Sequence, residues 1–475
     1  MNPNFNIHNS QLPFNNEANI VGQKNNNEQN YEKFLNNNFN KEKAFQNDYQ
    51  QDVKKNKIVN TPNQNDKNYE NKNKINQNFI TPTPNPNIFK VDNNNTKINY
   101  APKENQQISN NLNNLNLETN ITFKRYKKPP LVCLINDGNT TYINVIIQSL
   151  ANIRPIPSHY LKKENYFKNY ANDMALSYNF SRIIIHLYPY PEDRGEKFYS
   201  LSTFKKALLS KNPIFKGKTT KNAIDFLVYF LDILHDDDKK MPYYNNQDNI
   251  DNSLKEDINN NINLYTQYLA QSEQSCIFNT FGWIEVKKKI CWECKKEYIN
   301  YQKYFTFDLN FELALNKSIV HNNKQEISIL DCIKYQLGDQ ILYNVFCENC
   351  QKKCNFDSKI SIYSSANVFI FLIRINDNKE IIGKIKNANI KIKVEEEINL
   401  NGLVEKQISF ANYKLHCLIA FDLNEKLGYI AYCCNPIDQN WYKYEGDNYK
   451  KVELAEILNI KDGNLLPVIL FYRHN

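Results

Sequence analysis

The sequence predicts an α+β domain carried behind a disordered N-terminal tail. Three observations predict it. Composition breaks near residue 129, from Asn-rich and polar to apolar and periodic. Helix-spaced segments lie between about 141 and 235, and strand-length apolar runs fill the last third of the chain. Two Cys-x-x-Cys pairs, Cys291/Cys294 and Cys347/Cys350, lie between them with 52 intervening residues.

The tail comes first. Residues 1–128 hold 38 Asn and no Cys, and 17 Lys+Arg against 11 Asp+Glu place +6 of the chain's +8 there. So little apolar surface cannot offset the entropy of ordering a chain, so the segment reads as disordered. Thr81-Pro82-Thr83-Pro84-Asn85-Pro86 is a stiff extended piece within it. The run Lys124-Arg125-Tyr126-Lys127-Lys128 suits a nucleic-acid-contacting arm, although six excess charges spread over 128 residues is a dilute field. No run approaches the 18 or so apolar residues of a membrane span, and the N-terminus lacks an apolar leader. The expectation is a soluble protein of cytoplasm or nucleus with no membrane partner. All eleven cysteines lie at or after Cys133. In an intracellular chain, Cys-x-x-Cys pairs read as metal ligands rather than disulfides.

Residues 129–475 form the expected domain. The apolar run Leu131–Ile135 leads into a turn-forming cluster, Asn136-Asp137-Gly138-Asn139. Thr140 or Thr141 then caps a helix whose apolar face is Ile143, Ile146, Ile147 and Leu150. Free N–H groups and a partial positive charge at such an N-terminus suit a thiolate or an oxyanion. Amphipathic segments follow at Tyr178–Leu187 and Ser202–Leu209. A strong helix spans Asn222–His235, apolar at Ala223, Phe226, Leu227, Phe230, Leu231 and Leu234. Residues 240–272 are polar without sustained periodicity and are expected as a loop insertion. In a zinc-ribbon region of about 276–360, Cys291, Cys294, Cys347 and Cys350 supply four thiolates for a tetrahedral, structural Zn2+. Cys354 lies near enough to compete, with poorer spacing. Between the knuckles, Tyr304–Phe311 alternates as a half-buried strand. Ala366–Arg374, Tyr413–Phe421, Gly428–Tyr432, Trp441–Tyr444 and Val468–Arg473 read as further strands.

The stretch Asn136 to Gln148 resembles the cysteine box of the ubiquitin-specific proteases, Asn-x-Gly-Asn-Thr-Cys-Tyr-x-Asn-x-x-x-Gln. Every fixed position matches except one: Thr141 stands where the nucleophilic cysteine would be. The helix from Asn222 is similar to the family's Gln-Gln-Asp-Ala-x-Glu-Phe-Leu segment, whose two acidic residues grip the basic tail of ubiquitin. Asn222 and Asp225 take those places, which implies weaker tail binding. The knuckles with Phe305-x-Phe307-Asp308-Leu309 resemble the family's fingers. The strands from Ala366 to Arg473 are similar to its central strand and histidine-box half, in the right order. The resemblance implies a papain-like cysteine-protease fold with a helical thumb, a palm sheet and zinc-ribbon fingers.

It also exposes what is missing. A papain-like protease needs a thiolate, a histidine to take and return its proton, and an Asn or Asp to orient that histidine. Either Leu427-Gly428 takes the family's Gly-His positions, which puts Gly428 at the histidine position, or the histidine is deleted; the orienter position is Gly446, with Asp447 one residue late and reached only by a register shift. Thr141 has no terminal amine to act as its base. His416 reads as a packed or surface residue, Cys133 lies on the incoming strand and not at the helix tip, and Cys433 and Cys434 read as packing residues. Only the oxyanion position, Asn136, is kept, and a donor alone stabilises a transition state that nothing here generates. The expectation is a catalytically inactive relative that binds ubiquitin or a ubiquitinated protein, or acts as a scaffold in a multiprotein complex. Two alternatives stay open: an active cysteine-type deubiquitinase with an unrecognised nucleophile, and a nucleic-acid-associated zinc-ribbon scaffold.

Overall fold

The apolar run Val368–Ile373 contains no polar position because both of its faces are buried. In the computed structural model, Val368, Ile370 and Leu372 enter one core, and Phe369, Phe371 and Ile373 enter a second. Side chains of a strand alternate between faces, so a strand covered on both sides must be apolar throughout. The structure describes residues 129–474 except 130, 139, 163–167, 170, 173–174, 190–196, 213–214, 216–221, 241–260, 323–325, 376–377, 388–389, 406–410, 425–427 and 461–463. The expected tail, residues 1–128, lies outside the described residues, as do residues 241–260 of the expected insertion.

In chain order the helical half carries β1 (Cys133–Leu134), α1 (Thr141–Ala151), α2 (Pro155–Lys162), α3 (Ala175–Leu187), β2 (Phe198–Tyr199), α4 (Ser202–Lys211), α5 (Ala223–Lys239), α6 (Ile262–Ser272) and α7 (Cys276–Phe281). Next come β3 (Trp283–Cys291), β4 (Glu297–Tyr304), β5 (Phe307–Leu309), α8 (Phe311–Asn322), β6 (Glu326–Ser328), α9 (Ile329–Gln336), β7 (Asp339–Cys347) and β8 (Lys352–Ser364). The last third adds β9 (Val368–Ile373), α10 (Lys379–Asn387), β10 (Lys391–Lys393), β11 (Glu397–Asn399), β12 (Asn412–Asp422), β13 (Tyr429–Cys434), β14 (Trp441–Glu445), β15 (Asn448–Val452), α11 (Leu454–Leu458) and β16 (Leu465–His474).

The main sheet runs β15-β14-β13-β12-β16-β9-β5, with β11 beside β12. It is antiparallel except where β5 joins β9 in parallel. Helices α1 to α5 cover one face. On α5 the expected apolar positions Ala223, Phe226, Leu227, Phe230, Leu231 and Leu234 are all buried. Phe226 and Phe230 stack one turn apart at 5.3 Å, and Phe180 and Phe204 meet Phe230 edge-on. Such pairs add to what area burial alone supplies.

The insertion departs from expectation. Residues 262–272 are not loop but the helix α6. Its N-cap Asn261 accepts hydrogen bonds from the backbone N–H of Asn263 and Leu264, and Tyr265 and Leu269 pack on Ile284 beside Tyr301. Two apolar residues four apart suffice once β3 supplies a surface, too faint a signal to stand out in a polar segment.

A polar hub joins α5 to α7 and β4. Buried His235 lies 2.7 Å from Glu273 Oε2 through Nε2 and 2.6 Å from Ser275 Oγ through Nδ1. Ser275 also caps α7 by accepting from Phe278 N–H, and Lys303 and Lys239 both reach Glu273. Burial alone would raise the Glu273 carboxyl, but hydrogen bonds from His235 and Lys303 and the nearby ammonium charges hold it down at about 2. A carboxyl depressed in the fold stabilises it above the unfolded value of 4.5, and that contribution is lost as pH falls toward 2. Unfolding free energy measured against pH should therefore drop by roughly 2–3 kcal/mol across that window. Glu273→Gln should flatten the drop, and an unchanged slope would show that the hub is not the acid-sensitive element.

Candidate functional site

The site forms where α1 meets the strands of the sheet. α1 is buried on every side from Tyr142 to Ala151. Two of its polar side chains hold the incoming strand: Asn144 Nδ2 donates to Leu134 O and Gln148 Nε2 to Val132 O, each at 2.9 Å. Those box residues therefore work on the backbone, and the positions around Thr141 are fixed by them.

Thr140 occupies the N-cap position, but its hydroxyl makes no capping bond. Instead Asn136 Oδ1 accepts from Thr140 N–H at 3.0 Å and from Thr140 Oγ1–H at 3.1 Å. With its oxygen turned inward, Asn136 keeps its amide NH2 as the donor end, at an exposed position.

The structure brings together Thr141, Gly428 and Gly446, the residues expected at the triad positions. Gly428 has φ +69°, and a Cβ built there would lie 2.6 Å from Thr141 Oγ1. A side chain at this position would run into Thr141. Gly446, at φ +55°, begins the two-residue turn between Glu445 and Asn448 that joins β14 to β15. A left-handed first turn residue is what glycine supplies in such a hairpin. Gly446 and Thr141 line one cavity with Cys133, Asn144, Tyr429 and Tyr444, and its volume of about 10 Å³ holds no more than one water-sized sphere. Asp447 is not oriented toward a histidine: its Oδ1 accepts from Asn136 N–H at 2.7 Å and ties the hairpin tip to the loop before α1.

Burial, with the charge of Asp447, pushes the Cys133 thiol up to about 11, so at neutral pH it stays protonated. Burial also raises Cys276, Cys332, Cys417 and Cys434 above the ordinary thiol range. His416 is buried and donates from Nε2 to Asn152 O at 2.9 Å. Burial, with the Arg473 and Arg154 charges nearby, lowers it to about 4, so it is a neutral packing residue.

The two expected tail-binding residues are both engaged. Asn222 caps α5, its Oδ1 accepting from Ile224 N–H at 2.9 Å. Exposed Asp225 pairs with Arg374 Nη1 at 3.1 Å, and Arg374 Nε donates to Asp308 Oδ1 at 2.7 Å. The sequence reading missed Arg374, and no local pattern marks it, because its partner Asp225 is 149 positions away.

The four-strand sheet β4-β3-β8-β7 carries the cysteine knuckles. Cys291, Cys294, Cys347 and Cys350 converge, with Sγ atoms 3.9 Å apart for Cys291–Cys350 and 3.7 Å for Cys294–Cys347. A tetrahedron with Zn–S of about 2.3 Å has S···S edges of about 3.8 Å. Each knuckle closes the same way. Lys295 N–H bonds to Cys291 O and Gln351 N–H to Cys347 O, with Lys295 at φ +58° and Gln351 at φ +53°. Cys350 N–H and the Tyr298 hydroxyl point at Cys347 Sγ, as donors around a thiolate do. The group could hold zinc with all four protein ligands in place, leaving no open position for catalysis. Cys354 is buried beside it but is not one of the four; its thiol faces Lys352 O.

Comparison with known proteins agrees with this geometry. The family model described as ubiquitin carboxyl-terminal hydrolase matches residues 132–472. Ubiquitin carboxyl-terminal hydrolase 2 of Bos taurus is 22% identical over 338 residues, covering 69% of this chain and 53% of that protein. Ubiquitin carboxyl-terminal hydrolase 48 of Rattus norvegicus is 28% identical over 170 residues, covering 34% of this chain and 15% of that protein. The chain thus spans about half the length of the hydrolase 2 relatives and less of the other. Among solved structures, the SAGA DUB module of Ubp8, Sgf11, Sus1 and Sgf73 bound to monoubiquitin superposes with TM-score 0.52 at 14% identity, covering 78% of this chain and 76% of that one. The yeast SAGA DUB module with an Sgf73 mutant gives 0.50 at 15%, covering 74% and 69%. The fold is therefore the papain-like one of the ubiquitin-specific proteases, and the chain belongs to the ubiquitin carboxyl-terminal hydrolase family.

Proposed function

We propose that this protein is a non-catalytic deubiquitinase homologue that binds ubiquitin or a ubiquitinated protein and serves within a larger assembly. One observation carries the reading: the Gly428 backbone packs against Thr141, so the place of a nucleophile and its base is filled by a threonine and a glycine. Thiolate chemistry needs an acidic thiol with a base in reach, and Cys133, the cysteine lining this cavity, is raised and protonated. A solved structure of similar fold supports the partner class, since it is a four-protein module bound to monoubiquitin. Cys291, Cys294, Cys347 and Cys350 would hold a structural zinc, Asn136 is a donor without a reaction, and Asp225 is the remaining acidic contact for a basic tail. Among the described residues no helix is long and apolar enough to cross a membrane. Cytoplasm or nucleus is the proposed location.

The test uses the full chain and a ubiquitin probe with a thiol-reactive C-terminal warhead, beside ubiquitin titrated by calorimetry. No covalent adduct together with measurable binding is the expected result. A covalent adduct would overturn the inactive reading, and mapping it would name the cysteine responsible. Neither adduct nor binding would leave the assembly role and remove the ubiquitin one.

A further inference from the structure

We propose that Arg374 is an internal competitor for basic ligands: it occupies, in cis, the acidic pair Asp225–Asp308 that a partner's cationic tail would otherwise engage. This rests on the reading of the protein as a ubiquitin binder. Asp225 stands in the first turn of α5, on the helical half of the molecule. Asp308 is the outward residue of β5, between buried Phe307 and Leu309, so the strand's own alternation fixes its carboxylate on the surface. Arg374 directly follows β9, the strand that β5 joins in parallel, with Asp308 opposite Leu372. One guanidinium therefore bridges a helix and two strands, reaching Asp225 at 3.1 Å and Asp308 at 2.7 Å. All three side chains are partly in solvent, at 45% for Arg374 and 56% for each aspartate, so the bridge is open to exchange.

The charge balance sets the direction of the effect. Two carboxylates and one guanidinium leave a net −1 at this spot. An incoming cation must displace Arg374 and then regains the bonds that Arg374 lost, so the exchange yields little affinity. Without Arg374 the two carboxylates stand bare and draw a cation more strongly, with steeper dependence on salt. Partly exposed ion pairs are individually weak, which limits the gain to about fivefold. Asn222, already capping α5, adds no charge to the competition.

The test titrates full-length protein and its Arg374→Ala and Arg374→Gln variants with ubiquitin and with ubiquitin shortened by its basic C-terminal tail. The expected result is about fivefold tighter binding of intact ubiquitin by both variants, stronger at low salt. Tailless ubiquitin should bind all forms alike, and adding Asp225→Asn should cancel the gain. Equal or weaker binding of intact ubiquitin by the variants overturns the competitor and makes Arg374 a plain brace between helix and sheet. Absence of binding by every form overturns the ubiquitin reading itself, and the competitor with it.

Discussion

Replacing Cys347 with serine, or stripping metal with a chelator, should unfold the sheet β4-β3-β8-β7 while the main sheet stays folded. The apolar core at the cysteine end of that sheet is small. It consists of Cys291, Cys347, Cys354 and Phe356, with Cys294, Cys350, Tyr298, Leu342 and Val345 partly buried against it. Edge strand β7 further exposes Ile341, Tyr343 and Phe346. Clusters of this size do not fold unaided, and a structural zinc supplies on the order of 10 kcal/mol to the element it closes. Hydrogen exchange should rise sharply across residues 285–304 and 339–362 after chelation, whereas β12, β13 and β16, packed between two cores, keep their protection. One equivalent of zinc should be released. A sheet that stays protected after metal loss would mean that the four thiols are merely reduced packing residues.

The second large effect is expected at Gly428. Alanine there meets two obstacles: a backbone at φ +69°, which L side chains disfavour, and Thr141 Oγ1 at 2.6 Å from the new Cβ. Together they should cost about 2–4 kcal/mol in thermal or denaturant unfolding. Thr141→Ala removes the close atom but leaves the backbone strain, so Gly428→Ala in that background should cost about 1–2 kcal/mol. A coupling near zero would mean that the loop carrying Gly428 does not rest on Thr141. Gly428→His would have to carry the same strain. Thr141→Cys alone would place a thiol at a helix N-terminus with no base beside it, so probe turnover should stay absent in both single variants. On the proposed inactive reading, the packing around Thr141 opposes catalysis as much as the residue types do.

Much of this was legible in the chain before any coordinates. Local periodicity marked α1 and α5, because a helix that buries one face must repeat its apolar residues every three to four positions. The apolar run Val368–Ile373 pointed to a strand, and paired Cys-x-x-Cys motifs marked a candidate metal site. Shorter elements escaped. Helix α2 begins at Pro155, a proline in the first helical turn that could have been read as a start signal. Helix α6 sits in a polar segment, and its two buried residues gain meaning only from the strand they touch.

The sequence by itself determined the fold class, the family boxes and the four thiols, and it marked Thr141, Gly428 and Gly446 as the residues expected at the triad positions. These follow from residue identity and from periodicities set by backbone geometry, which are local properties. Only the tertiary structure decided what surrounds these residues. Gly428 closes on Thr141, Asp447 binds the Asn136 backbone across 311 positions, and Arg374 answers Asp225 across 149. Charges and atoms so far apart in the chain interact through distances that only the packed fold sets, and no spacing in the sequence records them.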